Sequence, residues 1–202
     1  MNPANWINHK EKAVGRPPSS MLSFFYWALR GSFPVLLLSG LVSILTGLIE
    51  VSAVVLLGLL IDAALASSID NPISNQVLLI ALGLSFFLII RPLVFGAFSY
   101  TQTVIVSPNI FKLILSRLHR WTLGQSVTFF ENDFAGRIAQ KEMQTARAAT
   151  DVVIEIIHTI LLALASVVGA ALMLTTVNLT LSLGLIVWLI GYILLIRYFM
   201  PK

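Results

Sequence analysis

Two charged residues, Glu50 and Arg91, stand deep inside long apolar runs, and they are the first candidates for chemistry. A charge in the hydrocarbon of a bilayer is unfavourable unless paired or hydrated, so such residues mark ion pairs, proton relays or water-lined pathways. At 1.5 Å per residue, Glu50 lies about 18 Å from the outer end of its run and Arg91 about 21 Å from the outer end of the next, so their depths match. The expectation is an interhelical or cavity-lining pair of intramembrane charges. The alternative is that Arg91 snorkels to the inner surface and leaves Glu50 alone in a water-filled cavity.

Other reactive groups offer less. Glu155 and His158 have the Glu-x-x-His spacing that holds a di-metal centre in helical bundles when a second such motif is present. No second motif occurs, so a polar pair and no metal site is expected. His9 and His119 read as solvated. The absence of cysteine excludes disulfides, thiolate zinc sites and cysteine nucleophiles, and no Ser, His and Asp constellation suggests another nucleophile. There is no GxxxxGK[ST] phosphate loop, so no catalytic or cofactor-binding residue is expected in this chain.

The elements that must position Glu50 and Arg91 follow from composition. Of the 202 residues, 57% are hydrophobic and 11% charged, and the mean hydropathy of +0.91 exceeds what a water-covered surface carries. The expected fold is an all-α membrane protein with four transmembrane helices, at about 34–62, 77–103, 156–175 and 179–198, each reaching or exceeding the roughly 20 residues that cross a bilayer. Residues 1–20, with Lys10, Glu11, Lys12, Arg16 and three prolines, read as a polar tail, and 21–32, with Phe24, Phe25, Tyr26, Trp27 and Arg30, as an interfacial helix. Asp62 to Gln76 reads as a loop, and Asn178 sits in a very short turn. Its Asn-Leu-Thr sequence matches a glycosylation acceptor by chance.

Apart from Arg91, the 13 Lys and Arg residues lie in the N-terminal segment, the middle segment and the C-terminal end, with none in the loop near Asp70 or the turn at Asn178. By the positive-inside rule both termini and the middle segment are cytoplasmic, in a multi-pass protein of the plasma (inner) membrane. The formal charge of +4 is divided among these segments rather than laid along one stripe, so no nucleic-acid partner is expected.

The middle segment, about 104–155, is the second candidate. Ile110, Phe111, Ile114 and Leu118 recur on one helical face, while Lys112, Ser116 and Arg120 follow on another. After a break at Gly124–Gly136, Lys141, Gln144, Arg147, Asp151 and Glu155 form a polar stripe. Spans two and three therefore extend as helices beyond the membrane. At the break, Phe129 and Phe130 form an aromatic knob, and Glu131 and Asp133 are suited to charge the N-terminus of the helix that follows.

Phe129, Phe130, Glu131, Asn132, Asp133 and Gly136, followed by Ile138, resemble the coupling-helix tip of ABC exporters with the six-span type-1 transmembrane domain. The layout of Met21 to the end is similar to the N-terminal part of that domain, with 21–32 as its elbow helix. The resemblance implies a transmembrane subunit or fragment that forms part of a translocation pathway. The tip would then contact a nucleotide-binding ATPase domain that uses ATP and magnesium, and a second transmembrane half, in a homo- or heterodimer, would complete the pathway within membrane lipid. Four spans and no nucleotide motif depart from the family plan, so the chain is expected to lack the last two spans and the nucleotide-binding domain. A small ion-coupled secondary transporter using Glu50 and a non-transporting membrane scaffold are the alternatives.

Overall fold

The computed structural model describes residues 6–8, 15–65, 73–131 and 134–200, with the backbone alone at 73–76. The protein is an all-α membrane protein: four helical stretches are long and apolar enough to cross a membrane, and there is no β-strand among the described residues. The helices are α1 (Met21–Leu29), α2 (Phe33–Leu65), α3 (Ile73–Ser85), α4 (Arg91–Tyr100), α5 (Ser107–Leu123), α6 (Val127–Glu131), α7 (Ala135–Ile154), α8 (Leu161–Val177) and α9 (Leu179–Phe199).

Three π-helical segments, Phe86–Ile90, Thr101–Val106 and Glu155–Ile160, join α3 to α4, α4 to α5 and α7 to α8. Two of them explain why prolines do not end the second stretch. Proline clashes with the carbonyl four residues back and donates no hydrogen bond. Before Pro92 the Arg91 N–H bonds to the Phe86 carbonyl, and before Pro108 the Ser107 N–H bonds to the Gln102 carbonyl, both five residues back. The widened turn lets the helix pass each proline, so Arg91 and Pro92 do not interrupt it.

The chain divides into two compact units. One comprises residues up to Ser43 with Pro92–Leu161, the other Ile44–Arg91 with the residues from Leu162 onward, and the divisions fall inside continuous helical stretches. The first unit holds a conventional core. Ile110, Leu113, Ile114 and Leu118 of α5 pack with Ala146, Ala149 and Val153 of α7 and with Trp27 to Leu29 of α1. Ile7, in the segment expected to be an unfolded tail, is buried with them. In the second unit the part of α2 from Ile44, with α8 and α9, is apolar on every face apart from single charges such as Glu50. They meet through small residues: a Cβ on Gly47 would lie 2.6 Å from the Leu162 carbonyl oxygen, and Ser166 Oγ donates to the Gly47 carbonyl at 3.3 Å. Such close approach is the usual basis of helix association in lipid.

The turn between α8 and α9 is the single residue Asn178, whose side chain caps α9 by accepting the Thr180 N–H at 2.8 Å. Ser182 Oγ then donates to the Ala171 carbonyl across the hairpin. The expected break at Gly124–Gly136 is not wholly irregular, because α6 occupies Val127–Glu131. Five residues carry too little periodicity to announce a helix. The loop expected at Asp62–Gln76 is shorter at both ends, since α2 runs to Leu65 and α3 begins at Ile73, and its middle lies outside the described residues.

Candidate functional site

Glu50 on α2 and Arg91 at the start of α4 meet within the second unit. Arg91 Nη2 donates to both carboxylate oxygens of Glu50, at 3.1 and 3.2 Å. The side chains are 34% and 39% exposed, so the pair is neither free in solvent nor sealed in a core. Arg91 follows directly on the π segment Phe86–Ile90, a local feature frequent at functional positions. Glu50 also borders a cavity of about 490 Å³ lined by Val54, Ala170, Met173, Leu185 and Trp188, an almost wholly apolar wall with this one acidic group. A neutral pair at the edge of an apolar recess can orient a polar group of an otherwise hydrophobic ligand.

The tip between α5 and α7 is built by two short breaks. Gly124 closes α5, with its N–H on the Trp121 carbonyl at 3.1 Å, and Phe134 precedes α7 in an extended conformation. Within α6, the Phe129 and Phe130 rings lie edge to face with centroids 5.3 Å apart. Phe129 lines a cavity of about 260 Å³ between α5 and α7 together with Leu118, Trp121, Ile138 and Glu142, so part of it braces the tip from within. Phe130 is about as exposed as Phe129. Glu131 ends α6 and does not lie in the first turn of α7, so it cannot act as an N-terminal charge there. Asn132 and Asp133 lie outside the described residues. Gly136 is exposed, and among the described residues a Cβ there would meet nothing within 4 Å.

Phe134 was not singled out by spacing, yet it is the most exposed aromatic of the tip, at 80%, with the Arg137 guanidinium 6.0 Å from its ring centre. Its signal was present only as a third aromatic in a six-residue stretch. Glu155 and His158 do not form a polar pair. Glu155 is exposed, whereas His158 is buried, its Nε2 3.1 Å from Ser39 Oγ and its ring 4.9 Å from that of Phe98. His158 follows the buried Val153 along the same helical stretch, and the π segment Glu155–Ile160 alters the register that the Glu-x-x-His spacing assumes. Among the described residues no group of three His, Cys, Asp or Glu could hold a metal ion. His119 is exposed and its Nδ1 lies 3.2 Å from Glu142 Oε2.

The sequence is 25% identical over 187 residues to an uncharacterized ABC transporter ATP-binding protein of Haemophilus influenzae, an alignment covering 92% of this chain and 30% of that protein. The chain is similar to an ABC transporter protein. It spans less than a third of that relative's length. No family model matches the chain, and no solved structure matches it.

Proposed function

We propose that the chain forms membrane-spanning helices of an exporter-type ABC transporter, supplying part of a translocation pathway and, through the α6 tip, a contact with a nucleotide-binding ATPase domain. The observation that carries this reading is the alignment along nearly the whole chain, joined to the four apolar helical stretches. The ATP binding in the relative's name has no matching phosphate loop in these 202 residues, so nucleotide would act through a domain in contact with them.

The physical means of coupling is rigid helix. α5 and α7 measure about 26 Å and 30 Å at 1.5 Å per residue, and each continues without a break into an apolar stretch. A displacement imposed at Phe130 and Phe134 by a closing ATPase would be carried along both helices. The buried α5–α7 core keeps the two moving as one. In this account the cytoplasmic side holds the tip and both termini, and the recess beside Glu50 belongs to the pathway.

The test is co-purification from detergent-solubilised membranes with a nucleotide-binding ATPase partner. Phe130→Ala with Phe134→Ala removes two aromatics of the tip while leaving Phe129 in the cavity wall, and recovery of the ATPase is expected to fall about tenfold, as for loss of a central aromatic anchor. Unchanged recovery from a variant with native thermal stability would remove the tip from the contact.

A further inference from the structure

The middle of α9 holds two polar aromatic side chains at a depth where the bilayer offers them nothing. Trp188 lies beside the midpoint of this 21-residue helix, and Tyr192 follows one turn later. At 1.5 Å per residue α9 is about as long as the hydrocarbon is thick, so both rings start well inside it. Tryptophan and tyrosine in spans ordinarily gather at the interfaces, where the N–H or O–H meets water. Tyr198, at the end of α9, fits that placement, whereas Trp188 and Tyr192 do not.

Their polar ends are available. The rings stack with centroids 5.7 Å apart and planes 7° from parallel, and the residues are 67% and 51% exposed. Among the described residues neither the Trp188 indole N–H nor the Tyr192 hydroxyl makes a hydrogen bond. Hydrocarbon cannot supply the missing partners, so acyl chains are a poor cover for this face of α9.

Trp188 is also part of the wall of the cavity of about 490 Å³ that Glu50 borders. The indole N–H calls for an acceptor. Glu50 calls for a donor: both its oxygens accept from one Arg91 nitrogen, but a carboxylate has about four acceptor positions and this side chain is 34% exposed. Because Arg91 already neutralises Glu50, a full charge on a ligand would stand uncompensated against Val54, Ala170, Met173 and Leu185. We infer that the cavity binds an uncharged amphiphile, an apolar body ending in an amide or hydroxyl, groups that both accept from an indole and donate to a carboxylate. The inference rests on the proposed place of this recess in the pathway and names the chemical class that the recess takes.

The test uses the full chain in phosphatidylcholine nanodiscs and three photoreactive probes that share one diazirine-bearing dodecyl chain and differ in the head, an amide, a trimethylammonium or a carboxylate. Cross-linked peptides identified by mass spectrometry are expected to carry about tenfold more amide probe than either charged probe on the α8 and α9 segments that line the cavity. Trp188→Phe keeps a ring and removes the N–H, and is expected to lower amide labelling there about fivefold. Glu50→Gln leaves the permanent charge of Arg91 without its carboxylate, and the preference is expected to turn to the carboxylate probe. Selective amide labelling without ATP-driven movement of that probe would uphold the site and count only against the pathway, since labelling needs neither ATPase nor flux. Equal labelling by the three heads, a charged probe preferred by the native chain, or an amide preference untouched by both substitutions would overturn the inference.

Discussion

The α5–α7 pair and the α8–α9 hairpin are both helical, yet they use apolar residues in opposite ways. α5 and α7 are amphipathic: Ile110, Leu113, Ile114, Ala146, Ala149 and Val153 are buried, and Lys112, Lys141, Gln144 and Arg147 are exposed. In α8 and α9 it is the leucines, isoleucines and valines that are exposed, Leu172, Val187 and Leu194 among them, while Ser182 is the buried residue. The first pattern is what water selects, because removing apolar surface from it stabilises the pair. The second gains nothing from hiding leucine, since lipid is as apolar as the helix, and leaves close packing and hydrogen bonding to hold the hairpin.

That comparison can be sharpened by substitution. In the water-selected core, Ile114→Ala leaves a cavity between α5 and α7 and is expected to cost about 3 kcal/mol, read as a lowered unfolding midpoint in detergent. In the second unit the sensitive position is a glycine. Gly47→Ala puts a methyl group 2.6 Å from the Leu162 carbonyl oxygen, which must move, at a cost of about 2 kcal/mol in the same assay. Glu50→Gln, Arg91→Gln and the double variant form a cycle whose coupling is expected near 1 kcal/mol, reduced by the partial exposure of both side chains. Val187→Ala, on an exposed apolar face, is expected to change stability by less than about 0.5 kcal/mol. A loss at Val187 as large as that at Ile114 would break the distinction between the units.

The sequence was most legible where one physical rule acts alone. Apolar length marked four helical stretches long enough to cross a membrane, and among them α2, α8 and α9 end at Leu65, Val177 and Phe199. The amphipathic faces of α5 and α7 were readable from the 3.6-residue period. What escaped depends on partners distant in the chain. Arg117 and Arg120 look alike in sequence, but only the folded position of α1 turns Arg117 inward onto three carbonyls. Ser39 and His158 are 119 residues apart, and no local pattern joins them. The division of labour at the tip, with Phe129 turned toward the α5–α7 cleft and Phe134 outward, arises from the short helix α6, whose five residues are below the length at which periodicity speaks.

The most direct test of the central claim, that the tip faces the cytoplasm while the α8–α9 turn faces the opposite side, uses the absence of native cysteine. Gly136→Cys and Val177→Cys each introduce one reactive thiol at an exposed position. A membrane-impermeant maleimide applied to sealed vesicles of known orientation should label the first only from the cytoplasmic face and the second only from the other. Labelling of both from the same face would contradict the four-span arrangement and, with it, the tip as a contact for an ATPase.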